Sequence, residues 1–223
     1  MKINKICILS DCFVPRKNSA AGMLYNLSKG FVEQNIEIVC IFGSTKYEKS
    51  QVKNNKIENY NLENIKIINS NFMSSYREGS YYSRLLFEIG LSLALCFKIF
   101  KNRKTFADID LIIWYSPSAF LWLPALILKK MIKVPLYLIL RDIFPDWIIN
   151  LGLVKNKVLI NFLKIITLPQ FIIPNIIGCE SANDAKNIQK KFLNQNVTTL
   201  YNWPSLSIKK NKHDTNIEFV EKY

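Results

Sequence analysis

The sequence has almost no histidine, and its cysteines form no pattern that would hold a metal or a disulfide framework. Its one histidine, His213, lies in a polar tail. The five cysteines are odd in number, irregularly spaced and without a Cys-x-x-Cys pair. Cys7, Cys40 and Cys179 fall in apolar runs, where a free thiol behaves as a small hydrophobic group. We therefore expect no bound metal, and free cysteines of the kind found in a reducing compartment.

Long uninterrupted apolar segments are also missing. A helix that spans a membrane needs about 20 consecutive apolar residues, and the apolar run near the N-terminus is too short for a signal peptide. Residues 85–100 carry Glu88 and Lys98, and residues 158–177 contain Lys164 and two prolines. We expect both segments to form buried or interfacial helices, with a spanning helix as the less favoured alternative.

Acidic residues are few compared with basic ones, and the formal net charge is +13. Such an excess favours nucleic acid or an anionic membrane surface as a partner. A nucleic-acid-binding protein would interleave basic and exposed aromatic residues or carry a recognisable binding motif. The sequence has neither feature, so no nucleic-acid partner is expected. Two interpretations of the charge stay open: an anionic membrane surface as partner, and the coding bias of an AT-rich genome, because lysine, asparagine and isoleucine are all over-used.

Short apolar runs alternate with longer helical patterns along the chain. The runs show no polar alternation, which is typical of strands that are covered on both faces in a parallel sheet. The predicted strands are residues 5–9, 36–42, 65–68, 111–115, 136–140, 176–179 and 197–200. We therefore predict an α/β fold, a Rossmann-like doubly wound parallel sheet with helices on both faces.

Helices are predicted between these strands. Apolar residues recur on one helical face between residues 20 and 31, and Ser19 is the expected N-cap. A helix is expected to start at Ser116–Pro117 and to be kinked at Pro124. The other predicted helices are residues 83–101, 157–167 and 182–192.

The loop after the first strand is one candidate for ligand binding, because an open parallel sheet binds ligands beyond the carboxyl ends of its strands. Ser19, Ala21 and Gly22 are small residues at the entry to a helix, where free backbone N–H groups could meet an anionic or polar ligand. The same residues would also allow the helix to pack closely on the sheet, and both interpretations stay open. No G-x-G-x-x-G sequence is present, so a dinucleotide cofactor is not expected.

The densest set of candidate residues follows the fifth strand, where the apolar run ends in Arg141 and Asp142. Asp142 or Asp146 could bind or deprotonate a substrate hydroxyl, and Asp142 is the candidate catalytic residue. Arg141 could face a phosphate, and Trp147 suits the apolar face of a ligand. Alternatively, Arg141 and Asp142 pair with each other or cap a helix. Ser116, at the end of the fourth strand, is a further candidate for substrate binding.

Four segments, in the same order along the chain, carry a resemblance to a known family. ICILSDCFVPRKNSAAG, IIWYSPSAFLWLPALILKK, LRDIFPDWIINLGL and LYNWPS resemble the N-terminal domain of glycosyltransferase family 4, which has the GT-B fold. The similarity is greatest to bacterial enzymes of O-antigen and capsule assembly, including fucosamine-transferase-like members. Ala21–Gly22 stands where the family usually has two glycines, and LPQFIIP departs from the family pattern.

The resemblance implies that residues 1–204 form the acceptor-binding domain of a retaining glycosyltransferase that needs no bound metal. Residues 205–223 would be an interdomain linker or the start of a C-terminal domain that the chain lacks, and that domain would bind the nucleotide-sugar donor. The implied acceptor is a lipid-linked sugar at the inner face of the cytoplasmic membrane, so the protein would be cytoplasmic and peripheral. Two alternatives stay open: a non-catalytic, membrane-associated subunit partnered with a separate donor-binding polypeptide, and a remnant without function.

Overall fold

A computed structural model describes residues 2–44, 60–70, 81–116 and 118–203. Seven parallel strands form one sheet in the order β3-β2-β1-β4-β5-β6-β7. The strands are β1 Lys5–Leu9, β2 Glu37–Gly43, β3 Ile65–Ser70, β4 Leu111–Ser116, β5 Leu136–Leu140, β6 Ile176–Cys179 and β7 Asn196–Thr199. The strand order reverses between β1 and β4, which is where a doubly wound sheet binds its ligands.

Helices cover both faces of the sheet, as the sequence predicts. They are α1 Ser19–Val32, α2 Tyr81–Lys101, α3 Trp122–Ile132, α4 Asp146–Asn150, α5 Lys157–Thr167, α6 Pro169–Ile172 and α7 Ala182–Lys191. One buried cluster joins the sheet to α2, α3, α6 and α7, and a second cluster joins the opposite face to α1. The predicted fold class, a Rossmann-like α/β sheet, is confirmed.

The two core clusters follow from the two-residue period of the strands. Leu9, Trp114 and Leu138 lie side by side in register on β1, β4 and β5, and all three belong to the cluster beneath α2 and α3. The preceding residues Ile8 and Ile113 face the other cluster. Because both faces are buried, the positions between the strand ends are apolar, which explains the continuous apolar runs of the sequence.

Two details of the predicted helices are wrong. Asn18, and not Ser19, is the N-cap of α1, with its Oδ1 accepting the N–H of Ala21 at 2.9 Å. Ser116 ends β4, and α3 begins only at Trp122, after a 3-10 turn at Ala119–Leu121. Pro124 consequently lies in the first turn of α3, where its missing N–H breaks no helical hydrogen bond, and it causes no mid-helix kink.

Some of the predictions fall on residues that the structure does not describe, and others can be compared only with the described residues. Pro117, the position of the predicted boundary at 204 and the segment 205–223 lie outside the described residues. Among the described residues, no helix has both the length and the hydropathy needed to cross a bilayer. The same residues include no group of three or more His, Cys, Asp or Glu placed to hold a metal ion. All five cysteines are buried and free, and burial raises the pKa of the Cys12 thiol to about 12.

Gly178 in β6 provides a test of the sheet packing next to the site. A Cβ at this position would lie 2.9 Å from Cζ of Tyr137, whose ring covers the glycine from the neighbouring strand. We expect Gly178→Ala to lower the free energy of unfolding by about 1–3 kcal/mol, since the ring must move. The control is Gly30→Ala in α1, where a Cβ meets nothing within 4 Å. Equal stabilities of the two variants in urea denaturation would contradict this packing.

Candidate functional site

Polar residues from several strands meet at the carboxyl edge of the sheet. The guanidinium of Arg141, directly after β5, lies 6.0 Å from the ring centroid of Tyr115 on β4. Its Nη2 is 3.1 Å from Oε1 of Glu180, which follows β6, and its Nη1 donates to Oδ1 of Asn202. We call Tyr115, Arg141, Glu180 and Asn202 the arginine cluster. Arg141 does not pair with Asp142, the alternative that the sequence left open.

The electrostatics of the arginine cluster keep its phenol protonated. Burial raises the pKa of Tyr115 to about 12, against the opposing effect of the Arg141 charge. The nearby Cys12, Asp11 and Glu180 also disfavour a phenolate. Tyr115 therefore presents a neutral hydroxyl at physiological pH.

The segment after β7 connects the arginine cluster to α1. Asn202 accepts the hydrogen bond from Arg141, and the next residue, Trp203, donates its indole Nε1–H to the carbonyl of Met23 at 3.1 Å. Adjacent Cα atoms are only about 3.8 Å apart, so these two contacts place Arg141 near the first turns of α1. The segment after β7 therefore contacts both the loop after β5 and helix α1.

The start of α1 offers fewer free amides than the small residues suggest. The Ala21 N–H donates to Asn18 Oδ1, and the Gly22 N–H donates to the Asn18 carbonyl at 3.2 Å. Ala21 is fully buried and Gly22 partly buried, whereas Ser19 is exposed with its hydroxyl 3.7 Å from Sδ of Met23. The geometry favours close packing at Ala21 and Gly22 and leaves Ser19 as the accessible member of the three.

A pocket of about 360 Å³ lies beside this edge, and we call it the aromatic pocket. Its wall combines three aromatic residues with two carboxylates and a lysine. These are Phe120, Phe144, Trp147, Glu88, Asp142 and Lys155. Leucines of α2 and α5 complete it, including Leu85, Leu159 and Leu163. A mainly apolar concavity with a few polar groups is the usual form of a small-molecule site.

Buried hydrogen bonds fix the walls of the aromatic pocket. The Ser92 hydroxyl donates to the Phe120 carbonyl at 2.9 Å, and Nε2 of the fully buried Gln170 donates to the Phe144 carbonyl at 3.2 Å. The two phenylalanine rings lie 6.1 Å apart between centroids. The Ser118 hydroxyl donates to Oε2 of Glu88 at 3.0 Å. The rings are therefore held in place before any ligand enters.

The two aspartates of the loop after β5 have different surroundings. Asp142 is exposed at the pocket, and within the described residues no donor reaches its carboxylate. Asp146 instead receives a hydrogen bond from Nζ of Lys191 at 2.6 Å and does not line the pocket. Ser116 is buried, with its hydroxyl donating to the Ser118 carbonyl at 3.4 Å. Of the predicted site residues, the structure brings Asp142 and Trp147 together in the aromatic pocket.

The sequence did not predict Glu88, Gln170 and Lys155 as residues of this region, and it offered Glu180 and Asn202 only as polar residues at strand ends. Glu88 had a signal, because it is the only acidic residue in the apolar sequence of α2. Glu180 and Asn202 stood at strand ends, but their bonds to Arg141 depend on the strand order. Gln170 and Lys155 had no sequence signal, since their roles arise from how α5 and α6 pack against the loop.

A larger open cleft, of about 650 Å³, follows the edge strand β3. It is lined near the amino ends of the strands by Lys5, Glu37 and Asn64. Parallel sheets bind ligands at the opposite edge, so the aromatic pocket is the better candidate despite its smaller volume.

No protein-family model matches the sequence, and a search of curated proteins found no match. Solved structures do resemble this one. A UDP-glucosyltransferase from Polygonum tinctorium superimposes with a TM-score of 0.55 at 7% identity, covering 98% of this chain and 55% of that one. UGT2 from Phytolacca americana gives 0.51 at 11% identity, covering 89% and 54%. A UDP-glucose: anthocyanidin 3-O-glucosyltransferase gives 0.54 at 12% identity, covering 91% and 53%.

These neighbours have the GT-B fold, and at such low identities the likeness establishes the fold alone. The chain spans about half the length of each structure that it matches. The similarity therefore shows that this α/β sheet has a fold found in about half of each of those structures.

Proposed function

We propose that the chain is the acceptor-binding half of a GT-B glycosyltransferase of the family 4 type. It takes part in transfer of a sugar from a nucleotide-sugar donor to a lipid-linked saccharide during synthesis of bacterial surface polysaccharide, O-antigen or capsule. The observation that supports this most directly is the aromatic pocket, where the carboxylate of Asp142 faces aromatic rings without a donor from the described residues. The shared fold of UDP-glucosyltransferases is consistent with it.

The pocket suits a saccharide because sugars combine apolar C–H faces with hydroxyl groups. Trp147 and Phe144 provide aromatic surfaces for the apolar part. Asp142 accepts a hydrogen bond from the acceptor hydroxyl and takes its proton as the oxygen attacks. The new bond joins that oxygen to the anomeric carbon of the donor on the same face from which the nucleoside diphosphate leaves with the electron pair of the broken bond, so the anomeric configuration is retained.

The donor is assigned to a second half of the GT-B fold, either in the same polypeptide or in a separate donor-binding protein. Transfer proceeds with retention of anomeric configuration and without a bound metal. The acceptor's lipid places the protein at the inner face of the cytoplasmic membrane as a peripheral protein. These finer features come from the family resemblance of the Arg141–Trp147 segment and are part of the proposal.

Acceptor binding tests the role of Trp147. We expect isothermal titration calorimetry with a polyprenyl-diphosphate monosaccharide in detergent to show binding to the chain, and Trp147→Ala to weaken that binding about tenfold through loss of aromatic contact. The control is Trp122→Phe, a tryptophan on α3 that does not line the pocket. Unchanged affinity in Trp147→Ala would remove the aromatic pocket from acceptor binding.

The proposed contact of Arg141 with an acceptor phosphate has a separate test. Glu180 neutralises the guanidinium at 3.1 Å, so an incoming phosphate must compete with that carboxylate. We expect Glu180→Gln to raise the affinity for inorganic pyrophosphate about threefold to tenfold, because the charge-assisted bonds of Arg141 become available. Calorimetry should show no binding to Arg141→Gln. Equal affinities in wild type and Glu180→Gln would contradict a phosphate-facing Arg141.

A further inference from the structure

Helix α5 has an apolar face that the described part of the protein does not cover. Val158, Phe162 and Ile165 lie on one side of this helix and expose 79%, 52% and 71% of their surface. They recur at i, i+4 and i+7, which is one stripe of a helix. Further exposed apolar residues lie before and after α5 in the chain; these are Leu151, Leu168 and Ile172. We call these six residues the α5 face.

The segment that carries the α5 face has charges of one sign. Residues 147–179 contain three lysines and no aspartate or glutamate. Lys155 and Lys157 lie at the start of α5, and Lys157 and Lys164, seven residues apart, lie on one flank of the apolar stripe. All three lysines are exposed. The apolar stripe is thus flanked by positive charge.

This combination fits a lipid bilayer better than a protein. The core of a protein–protein interface is depleted in charged residues, and lysine in particular is disfavoured there. At a membrane surface, the apolar side chains enter the acyl boundary while a lysine extends along them to reach the phosphates. The convex shape of a helix also suits a deformable lipid surface. We propose that the α5 face docks on a bilayer containing anionic lipids.

Docking through this face has a geometric consequence for the aromatic pocket. The opposite side of α5 contributes Leu159 and Leu163 to the pocket wall. A protein seated on α5 therefore holds the pocket at the level of the lipid headgroups, within reach of a group carried by a lipid. The docking itself does not depend on sugar transfer, so it is tested by binding alone.

The test is sedimentation of the full chain with vesicles, either of phosphatidylcholine alone or with added phosphatidylglycerol, at low and high salt. We expect the wild type to bind the anionic vesicles at low salt and to lose most of that binding at high salt, since surface charges are then screened. Val158→Ser/Ile165→Ser should weaken binding about tenfold or more, because two apolar side chains no longer enter the lipid. The control Leu193→Ser changes an equally exposed leucine, 80% accessible, outside the α5 face.

A charge series separates the two contributions. Lys155→Gln/Lys157→Gln/Lys164→Gln should weaken binding to anionic vesicles by about fivefold for each lysine at low salt. Lys186→Gln/Lys190→Gln on α7 is the matched control and should leave binding unchanged. Loss of binding in this control pair, with the triple variant unaffected, would overturn the assignment of the charge to this face.

Three further outcomes would overturn the proposal. The first is that the wild type does not bind anionic vesicles at low salt. The second is that the Val158→Ser/Ile165→Ser variant binds as well as the wild type. The third is that light scattering shows a dimer for the wild type and a monomer for Val158→Ser/Ile165→Ser, which would make the α5 face a contact between two copies.

A second control changes an exposed apolar stripe on another helix. Phe97→Ser/Phe100→Ser on α2 should bind vesicles like the wild type. None of these results bears on whether the aromatic pocket binds a sugar.

Discussion

Replacing Asp142 by asparagine is expected to lower the rate of sugar transfer by about 10²–10⁴-fold, the contribution typical of a positioned general base. Asparagine has nearly the same shape and can still bind a hydroxyl, but it cannot take the proton. The assay combines the chain with a donor-binding half and a nucleotide-sugar, and it follows radiolabelled sugar into a lipid-linked acceptor. Acceptor affinity should change much less than turnover, because the aromatic walls of the pocket remain intact.

Folding must be separated from chemistry in this experiment. Asp142 is exposed and its carboxylate accepts no hydrogen bond from the described residues, so its replacement by asparagine should leave the urea unfolding curve nearly unchanged. Asp108→Asn is the matched control, since that carboxylate lies near the amino end of the sheet and pairs with Lys5 at 2.9 Å. Full turnover in a well-folded Asp142→Asn variant would remove Asp142 from the reaction.

Replacing Trp114 by alanine is expected to cost about 3–5 kcal/mol of unfolding free energy, the usual range for deleting a large core side chain. Trp114 is fully buried at the centre of the sheet, between Leu9 and Leu138. Its indole Nε1–H, however, finds no acceptor among the described residues. A buried donor without a partner costs about 1–3 kcal/mol. Trp114→Phe removes that donor and should therefore stay within about 1 kcal/mol of the wild type.

The contrast between the two Trp114 variants is the informative result. Urea denaturation measured by circular dichroism gives both free energies on the same scale. If Trp114→Phe were as destabilising as Trp114→Ala, the indole N–H would have a partner or the ring would make contacts that phenylalanine cannot replace. If both were neutral, Trp114 would not lie in the core at all.

The strands could be predicted because burial on both faces leaves an unbroken apolar run. The bounds of β1, β5 and β6, and those of α5, agree with the sequence prediction, since each run ends in polar or turn residues. The N-cap of α1 was wrong because Asn18 and Ser19 are both good caps, and only the backbone geometry distinguishes them. The delayed start of α3 was missed because the 3-10 turn at Ala119–Leu121 contains only good helix residues.

The sequence predicts which loop carries the candidate site, the loop after β5, but it does not predict which side chains contact one another there. The abrupt change from an apolar strand to Arg141 and Asp142 marks the carboxyl end of β5, and parallel strands bring such ends to one edge. The directions of side chains along that loop have no sequence signal. Arg141 joins Glu180 and Asn202, and Asp146 joins Lys191, through partners 39 to 61 residues away. Only the strand order and helix packing determine these partners.

Photo-crosslinking with a polyprenyl-diphosphate sugar that carries a benzophenone in its lipid tests the central claim most directly. We expect the label on peptides that line the aromatic pocket, which contain Leu85 and Glu88, Ala119 and Phe120, or residues 142–163, and competition by the unlabelled acceptor but not by a nucleotide-sugar. Label elsewhere on the chain, or label that a nucleotide-sugar removes, would contradict the assignment of this domain to the acceptor.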